Sequence, residues 1–258
     1  MKKICNLHEP FLIGIVFFLA AFGAQAQKTY LVAVGLDEYD PRGNCTYLPT
    51  SVNDVRSLAR FFDSYNNSDV FMLKNDNATR DHILRVLKSQ FAKSGPEDEI
   101  IFAYSGHGFD GGLSCYDAAF PGQTNIVFCS EIQEILRNAK ARRKVMFINS
   151  CHSGSFTKKY GGDPRAKSYK NSDSNVMICM SSRADEESWT TSEMSMSYYY
   201  TALLRALRGA ADANRDSKVT ARELFNYVYG SVLDMTGGIQ HPQMYGKFPD
   251  DMVVVYVK

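Results

Sequence analysis

The sequence lacks a large net charge, a long apolar run and internal repeats, and each of these absences argues against a class of protein. Its formal net charge is only +1, so no excess of one sign predicts nucleic acid or an anionic membrane as a partner. Its main apolar run, residues 11–22, is shorter than the roughly 20 residues of a transmembrane helix, so we expect no stable membrane insertion. No internal repeat or low-complexity linker divides the 258 residues, which predicts one globular domain.

The first 26 residues have the pattern of a secretory signal peptide. Lys2 and Lys3 precede the apolar run, and the small-x-small sequence Ala-Gln-Ala ends at Ala26. Cleavage after Ala26 removes two lysines and one glutamate, which leaves a formally neutral domain over residues 27–258. We expect this domain to be secreted or periplasmic.

Short apolar segments alternate along the chain with amphipathic segments of helical spacing, which predicts an α/β fold. We expect a three-layer αβα sandwich whose mostly parallel, roughly six-stranded sheet carries helices on both faces. The predicted strands are 29–36, 70–73, 99–104, 144–149, 176–180 and a closing strand at 252–257. The predicted helices are 51–62, 79–94, 130–141, 196–207 and 221–233.

Local signals mark two helix starts and one irregular segment. Thr79 and Ser130 are predicted N-caps, and Gln133 stands where it would complete a capping box with Ser130. Residues 109–128 are rich in Gly, Asp and Asn, so we expect an irregular excursion or a hairpin there.

Two neighbouring strands of the predicted sheet lead into reactive side chains. Ser-Gly-His-Gly follows the third strand and ends at Gly108, and Ser-Cys follows the fourth and ends at Cys151. Because parallel neighbours lie roughly 5 Å apart and end at one edge of the sheet, we expect His107 beside Cys151. A cysteine needs an adjacent base to be a good nucleophile, so His107 is the predicted base, whereas His152 would diverge from its neighbour. The N–H groups of Gly108 and Cys151 would face the oxyanion.

Each of these residues also has a simpler interpretation. Cys151 alone would be a buried thiol at a strand end, and His107 alone a hydrogen-bonded turn residue. A metal site is less favoured because neither has a second ligand at zinc-site spacing. Five cysteines follow the leader, an odd number that leaves at least one unpaired, and Cys151 is the expected one. Cys115 and Cys129 are candidates for a disulfide, and Cys179 is expected in the core.

Several stretches resemble the caspase-like and metacaspase-like cysteine peptidases. The two strand ends, Tyr-Ser-Gly-His-Gly at 104–108 and Asn-Ser-Cys-His-Ser-Gly at 149–154, resemble that family's paired signatures. Residues 31–39, 51–54 and 180–186 resemble its opening strand, its first-helix motif and the exit from its fifth strand, so the resemblance spans most of the mature chain. It implies a caspase fold, a histidine–cysteine dyad that hydrolyses peptide bonds of a protein or peptide substrate, and no cofactor for the chemistry.

The resemblance also implies a substrate pocket. In metacaspases the pocket for the residue before the cut is acidic and accepts Arg or Lys. The matching positions are Ser51, Asp54, Ser105 and Asn149, with Asp185 from the fifth-strand exit. Asn149 stands where the family usually has an aspartate and Ser51 where a cysteine is common, so a basic preference would depend on Asp54. The simpler interpretation of Asp54 is an exposed charge on the first helix.

Three further features leave alternatives open. Residues 157–175 carry five Lys or Arg and would form either a self-cleavage site or a solvated loop. Trp189 and the tyrosines at 198–200 would line substrate subsites or belong to the core. The expected activity is that of an endopeptidase, and the alternatives are a non-catalytic binding or regulatory module and a cysteine hydrolase of non-peptide amides.

Residues 212–223 match the pattern of an EF-hand calcium loop, with oxygen-bearing side chains at positions 1, 3, 5, 9 and 12. The candidate ligands are Asp212, Asn214, Asp216, Lys218, Thr220 and Glu223. Ser217 stands at the sixth position, where glycine normally makes the sharp turn. The alternative is a turn followed by a capping box between Thr220 and Glu223.

Overall fold

The computed structural model describes residues 27–65, 67–109, 111–119, 124–151, 176–183, 186, 188–189 and 195–257. The predicted signal peptide and the basic loop at 157–175 lie outside these residues. Within the part of the chain that is described, no helix has the length and apolar character needed to cross a bilayer.

Strands alternate with helices over much of the described chain, as predicted, and four consecutive strands interrupt the alternation between residues 99 and 128. The strands are β1 (Thr29–Gly35), β2 (Ser68–Lys74), β3 (Glu99–Ser105), β4 (Gly108–Phe109), β5 (Gly112–Ala119), β6 (Thr124–Phe128), β7 (Arg143–Asn149), β8 (Val176–Met180), β9 (Lys218–Thr220), β10 (Gln243–Lys247) and β11 (Val253–Tyr256). The helices are α1 (Ser51–Asp63), α2 (Arg80–Phe91), α3 (Cys129–Asn138), α4 (Tyr198–Arg205) and α5 (Ala221–Thr236).

The central sheet has six strands in the order β10-β8-β7-β3-β1-β2. All neighbouring pairs are parallel except β10 with β8, which is antiparallel. One core packs α2 and α3 against one face, and a second core packs α1, α4 and α5 against the other. Because both faces are covered, strands such as β3 are buried at every residue, which explains their continuous apolar sequences. The predicted three-layer αβα sandwich is confirmed.

The strand that completes the central sheet differs from the predicted one. The segment predicted at 252–257 forms β11, which pairs with β9 in a separate two-stranded sheet. The sixth strand of the central sheet is β10, a partly exposed edge strand that contains Gly246 in a positive-φ conformation. An edge strand with polar residues and a glycine lacks the apolar pattern of a buried strand, so the sequence did not predict it.

The segment at 109–128 takes the hairpin form, one of the two predicted alternatives: β4, β5 and β6 form a three-stranded antiparallel sheet. The helix that follows also begins earlier than predicted. β6 runs directly into α3, so Ser130 lies inside the helix, and the N–H of Phe128 donates instead to Glu131 at 3.1 Å. The predicted Ser130–Gln133 capping box is therefore wrong. Thr79 does precede α2 but makes no capping hydrogen bond with its side chain.

The cysteines confirm one prediction and correct another. Cys179 lies in the core on β8. Cys115 and Cys129 are not joined by a disulfide. The N–H of Cys129 donates to the carbonyl of Gly111, so Cys129 lies opposite the start of β5. Cys115 lies four residues further along β5. Four residues of a strand span about 13 Å, which is beyond the reach of a disulfide.

Candidate active site

The two strand ends that carry the predicted dyad lie side by side. β3 and β7 are parallel neighbours, and Ser105 at the end of β3 is paired with Asn149 at the end of β7. Beyond the strands, the N–H of Gly106 donates to the carbonyl of Asn149 at 3.1 Å. His107 and Cys151 each follow two residues after this paired position, so their backbones leave the sheet at the same edge.

Gly108 brings the histidine turn directly against the cysteine segment. A Cβ atom at Gly108 would lie 2.6 Å from Ser150 Oγ and 2.8 Å from the carbonyl oxygen of Cys151, which is too close for packed atoms. Only a residue without a side chain lets the two backbones approach so closely. The predicted oxyanion donors, the N–H groups of Gly108 and Cys151, therefore belong to adjoining backbone segments.

Thr46, which had no sequence signal for a site, orients the side chain of His107. The imidazole Nε2 lies 2.8 Å from the carbonyl oxygen of Thr46 and 3.1 Å from its Oγ1. A carbonyl oxygen only accepts hydrogen bonds, so Nε2 carries the proton and Nδ1 of the neutral ring is an acceptor. A ring with this tautomer can take a proton from a thiol through Nδ1.

The peptide group that precedes Cys151 is held by serine hydroxyls. The carbonyl oxygen of Ser150 accepts hydrogen bonds from Ser188 Oγ at 3.1 Å, Ser181 Oγ at 3.3 Å and Ser182 Oγ at 3.4 Å. Two of these serines follow β8, the other parallel neighbour of β7. Cys151 itself is partly exposed, as a nucleophile that must meet a substrate needs to be.

Asp54 is buried on α1, so the interpretation as an exposed helix charge is wrong. Its Oδ2 accepts hydrogen bonds from Ser105 Oγ at 2.8 Å and Asn149 Nδ2 at 3.1 Å, and its Oδ1 accepts one from the N–H of Ser197 at 2.8 Å. Burial raises the pKa of Asp54 to about 7, against the opposing effect of these donors. Three of the predicted pocket residues thus form one hydrogen-bonded cluster, and Ser51 lies buried one turn earlier on α1.

The remaining predicted substrate residues have different outcomes. Asp185 lies outside the described residues. Trp189 is 46% exposed and donates its backbone N–H to Gln240 at 2.9 Å, so it does not belong to the core. Tyr199 and Tyr200 are fully buried in the core between α4 and the sheet, where they cannot line a subsite.

Side-chain oxygens of the loop at 212–223 accept hydrogen bonds from the backbone N–H groups of the same loop. The two carboxylate oxygens of Asp212 accept from the N–H groups of Asp216 and Ser217 at 3.1 and 3.0 Å. Asn214 Oδ1 accepts from the same Asp216 N–H at 2.9 Å, and Asp216 Oδ1 accepts from Lys218 N–H at 3.0 Å. Ser217 adopts a left-handed φ of 63°, the conformation that glycine would supply at this position.

The end of the same loop forms the alternative structure that the sequence allowed. Glu223 Oε2 accepts from the N–H and the hydroxyl of Thr220 at 3.0 and 2.7 Å, and Thr220 Oγ1 caps the N–H of Glu223. This is the capping box of α5. Across the described ranges, no group of three or more His, Cys, Asp or Glu residues is placed to hold a metal ion. Calcium binding stays a prediction, and no chemical step below depends on it.

Known proteins share the sequence pattern and the fold of this chain. A family model described as the caspase domain matches residues 28–253, which includes both signature segments. The chain belongs to the caspase-domain family. The match confirms the family resemblance that the segments at 104–108 and 149–154 indicated.

Individual relatives of this caspase-domain protein are distant. Metacaspase-1 of Pyricularia oryzae is 31% identical over 90 residues, which cover 31% of this chain and only 22% of that protein. A solved structure of caspase-1 from Spodoptera frugiperda has a TM-score of 0.66 at 15% identity and covers 90% of both chains. A structure from Geobacter sulfurreducens has a TM-score of 0.65 at 14% identity and covers 90% of this chain and 100% of its own. At these identities the two structures establish the fold alone.

Proposed function

We propose that this caspase-domain protein is an exported cysteine endopeptidase with Cys151 as nucleophile and His107 as base. The observation that carries the proposal is the placement of these residues two positions beyond the paired ends of β3 and β7, with Gly108 packed against Cys151. The hydrogen bond from His107 Nε2 to the carbonyl of Thr46 supports the role of base, because it leaves Nδ1 as the acceptor.

The proposed reaction begins when Cys151 transfers its thiol proton to Nδ1 of His107 and its sulfur attacks the carbonyl carbon of the scissile peptide. The carbonyl electron pair moves to oxygen, and the N–H groups of Gly108 and Cys151 stabilise that charge. When the intermediate collapses, the C–N bond breaks and the imidazolium gives its proton to the leaving amine. A water then loses a proton to Nδ1 of His107 and attacks the thioester. The C–S bond breaks, the carboxylic acid leaves, and the imidazolium returns its proton to the sulfur of Cys151.

We further propose cleavage after Arg or Lys. The support is Asp54, a carboxylate hydrogen-bonded to Ser105 and Asn149 at the ends of the two strands that carry the dyad. The preference depends on one carboxylate, since Asn149 contributes an uncharged amide. A basic preference would also make the lysines and arginines of residues 157–175 candidate sites of self-processing.

Activity of the mature chain from Gln27 tests this proposal. We would assay it beside Cys151→Ala and His107→Ala on fluorogenic peptides that end in Arg, Lys, Asp or Ala. Cys129→Ala is a matched control, because it removes a buried thiol on the helix layer formed by α2 and α3. We expect the wild type and Cys129→Ala to cleave after Arg and Lys, and the two dyad variants to be inactive.

The same assay separates the alternatives. A folded wild-type protein that cleaves no peptide, even after limited proteolysis within residues 157–175, would contradict the proposal and favour a non-catalytic module. Hydrolysis of small amides without cleavage of any peptide would favour the non-peptide hydrolase. Cleavage that persists in Cys151→Ala would remove the thiol from the mechanism.

A further inference from the structure

Two tyrosines that take no part in the proposed mechanism hydrogen-bond to the backbone N–H and the backbone carbonyl of His107. Tyr39 and Tyr104 are only 7% and 1% exposed. The N–H of His107 donates to Tyr39 Oη at 2.7 Å, and Tyr104 Oη donates to the carbonyl oxygen of His107 at 2.7 Å. Both backbone groups of His107 are thus bound by buried side chains, which restricts the position of this turn residue.

The two hydroxyls lie next to each other beneath the turn. A Cβ atom on Gly106 would be 2.5 Å from Tyr104 Oη and 2.9 Å from Tyr39 Oη, so both occupy the space that a side chain would need. Tyr104 Oη also lies 2.8 Å from the carbonyl oxygen of Ser114, so its single proton is shared between two carbonyl acceptors. The N–H and the carbonyl of His107 are therefore each bound to a separate buried phenol.

The same Tyr39 fixes the imidazole as well as the backbone. Its ring centroid lies 5.1 Å from that of His107, with the two ring planes inclined at 38°. The carbonyl of Thr46 binds Nε2 at the edge of the same imidazole. One contact on the ring face and one at the ring edge together define the direction in which Nδ1 points.

We infer that Tyr39 is a positioning residue, which aims Nδ1 of His107 at Cys151 through its hydroxyl on the backbone and its ring on the imidazole. This inference rests on the proposed function, since it concerns the same dyad. Burial raises the pKa of both phenols well above the usual 10, so the hydroxyls keep their protons and take no part as acid or base. Their effect on the reaction is geometric.

Tyr39→Phe tests the inference, because it removes the hydroxyl and keeps the ring. Tyr199→Phe is the matched control: Tyr199 is fully buried and its hydroxyl donates to the carbonyl of Cys179 at 3.0 Å, away from the dyad. For Tyr39→Phe we expect kcat to fall by about 10- to 100-fold with KM within about two-fold, since small misplacements of a catalytic group cost rates of this order. For Tyr199→Phe we expect both constants to stay near wild type.

A second readout does not require a peptide substrate. The rate of Cys151 alkylation by iodoacetamide is measured against pH for the wild type, Tyr39→Phe and Tyr199→Phe. A correctly placed imidazolium stabilises the thiolate of Cys151. Misplacement of His107 in Tyr39→Phe should therefore move the midpoint of the alkylation profile to higher pH, whereas Tyr199→Phe should keep the wild-type midpoint. Thermal unfolding of both variants reports the structural cost of each lost hydroxyl.

The outcomes separate the inference from the proposed function. Wild-type kcat and a wild-type alkylation profile in Tyr39→Phe would overturn the positioning role, as would equal losses in Tyr199→Phe. If the wild type cleaves no peptide, the proposed function fails, and the shift of the alkylation profile still decides whether Tyr39 positions His107 beside the thiol.

Discussion

Asn149 donates its amide Nδ2 to Asp54 Oδ2 and to Ser105 Oγ, each at 3.1 Å. These two bonds lock the amide in one orientation, in which its Oδ1 is buried and has no hydrogen-bond partner in the described part of the chain. The cluster therefore contains one carboxylate and one neutral acceptor. Above about pH 7, where Asp54 is ionised, the substrate preference of this caspase-domain protein should reflect that single charge.

Asn149→Asp should strengthen the preference for arginine substrates. A second carboxylate beside Asp54 would offer the guanidinium two charged acceptors, and a charge-assisted bond contributes about 1.5–3 kcal/mol. We expect the ratio of kcat/KM for Arg over Ala peptides to rise by at least about 10-fold, since this corresponds to about 1.4 kcal/mol. An unchanged ratio in a folded variant would show that the cluster does not contact the substrate residue before the cut.

The buried Asp54 should make stability fall as the pH rises from about 4 to about 7. Its pKa is raised by burial from the ordinary 3.8 to about 7, so in this window the unfolded chain releases a proton that the folded chain keeps. Above about pH 7 Asp54 is ionised in both the folded and the unfolded chain, so it causes no further loss of stability. Asp54→Asn cannot titrate and should show a shallower decline in urea denaturation at a series of pH values. Identical slopes for the two proteins would contradict a raised pKa.

Gly108→Ala should damage the site without harming the rest of the fold. The new methyl group would require Ser150 and Cys151 to move, and a displacement of about 1 Å costs catalysis about 100-fold. Gly230→Ala is the matched control, because a Cβ there has no neighbour within 4 Å inside α5. We expect the control to keep full activity and to gain up to about 1 kcal/mol of stability. Full activity in Gly108→Ala would argue against close packing at the dyad.

Thr220→Ala should destabilise the protein whether or not calcium is present. The Thr220 hydroxyl caps α5, and loss of such a cap costs about 1 kcal/mol. We expect a similar decrease in the free energy of unfolding with calcium and with a chelator. Calcium binding at 212–223 would appear separately, as a rise in melting temperature of the wild type that Asp212→Ala abolishes. No destabilisation of Thr220→Ala in chelator would contradict the capping box.

The central fold could be predicted because its four inner strands, β1, β3, β7 and β8, are buried on both faces. Such strands are continuously apolar, and the short polar segments that follow β3 and β7 mark the edge where function is found in α/β proteins. The pairing of Ser105 with Asn149 then follows from parallel neighbours. It could therefore be predicted that the segments carrying His107 and Cys151 leave the sheet side by side.

Other parts depend on contacts that no local pattern contains. Tyr39 and Thr46 both lie between β1 and α1, far from His107 in the sequence. Only the folded chain brings them into contact with His107. The edge strand β10 has one exposed side and a glycine, so its sequence does not resemble a buried strand. The alternative interpretation of Asp54, an exposed helix charge, was wrong: a carboxylate on a helix is usually solvated, but this one is buried against the ends of β3 and β7.

Covalent labelling of the nucleophile tests the central claim most directly. The mature protein would be incubated with a peptidyl acyloxymethyl ketone that ends in arginine, and the modified residue located by mass spectrometry of proteolytic fragments. The proposed mechanism predicts one adduct, on Cys151, formed rapidly in the wild type and slowly in His107→Ala. Labelling of the half-buried Cys45 at the same rate, or labelling of Cys151 that does not depend on His107, would contradict a His107–Cys151 dyad.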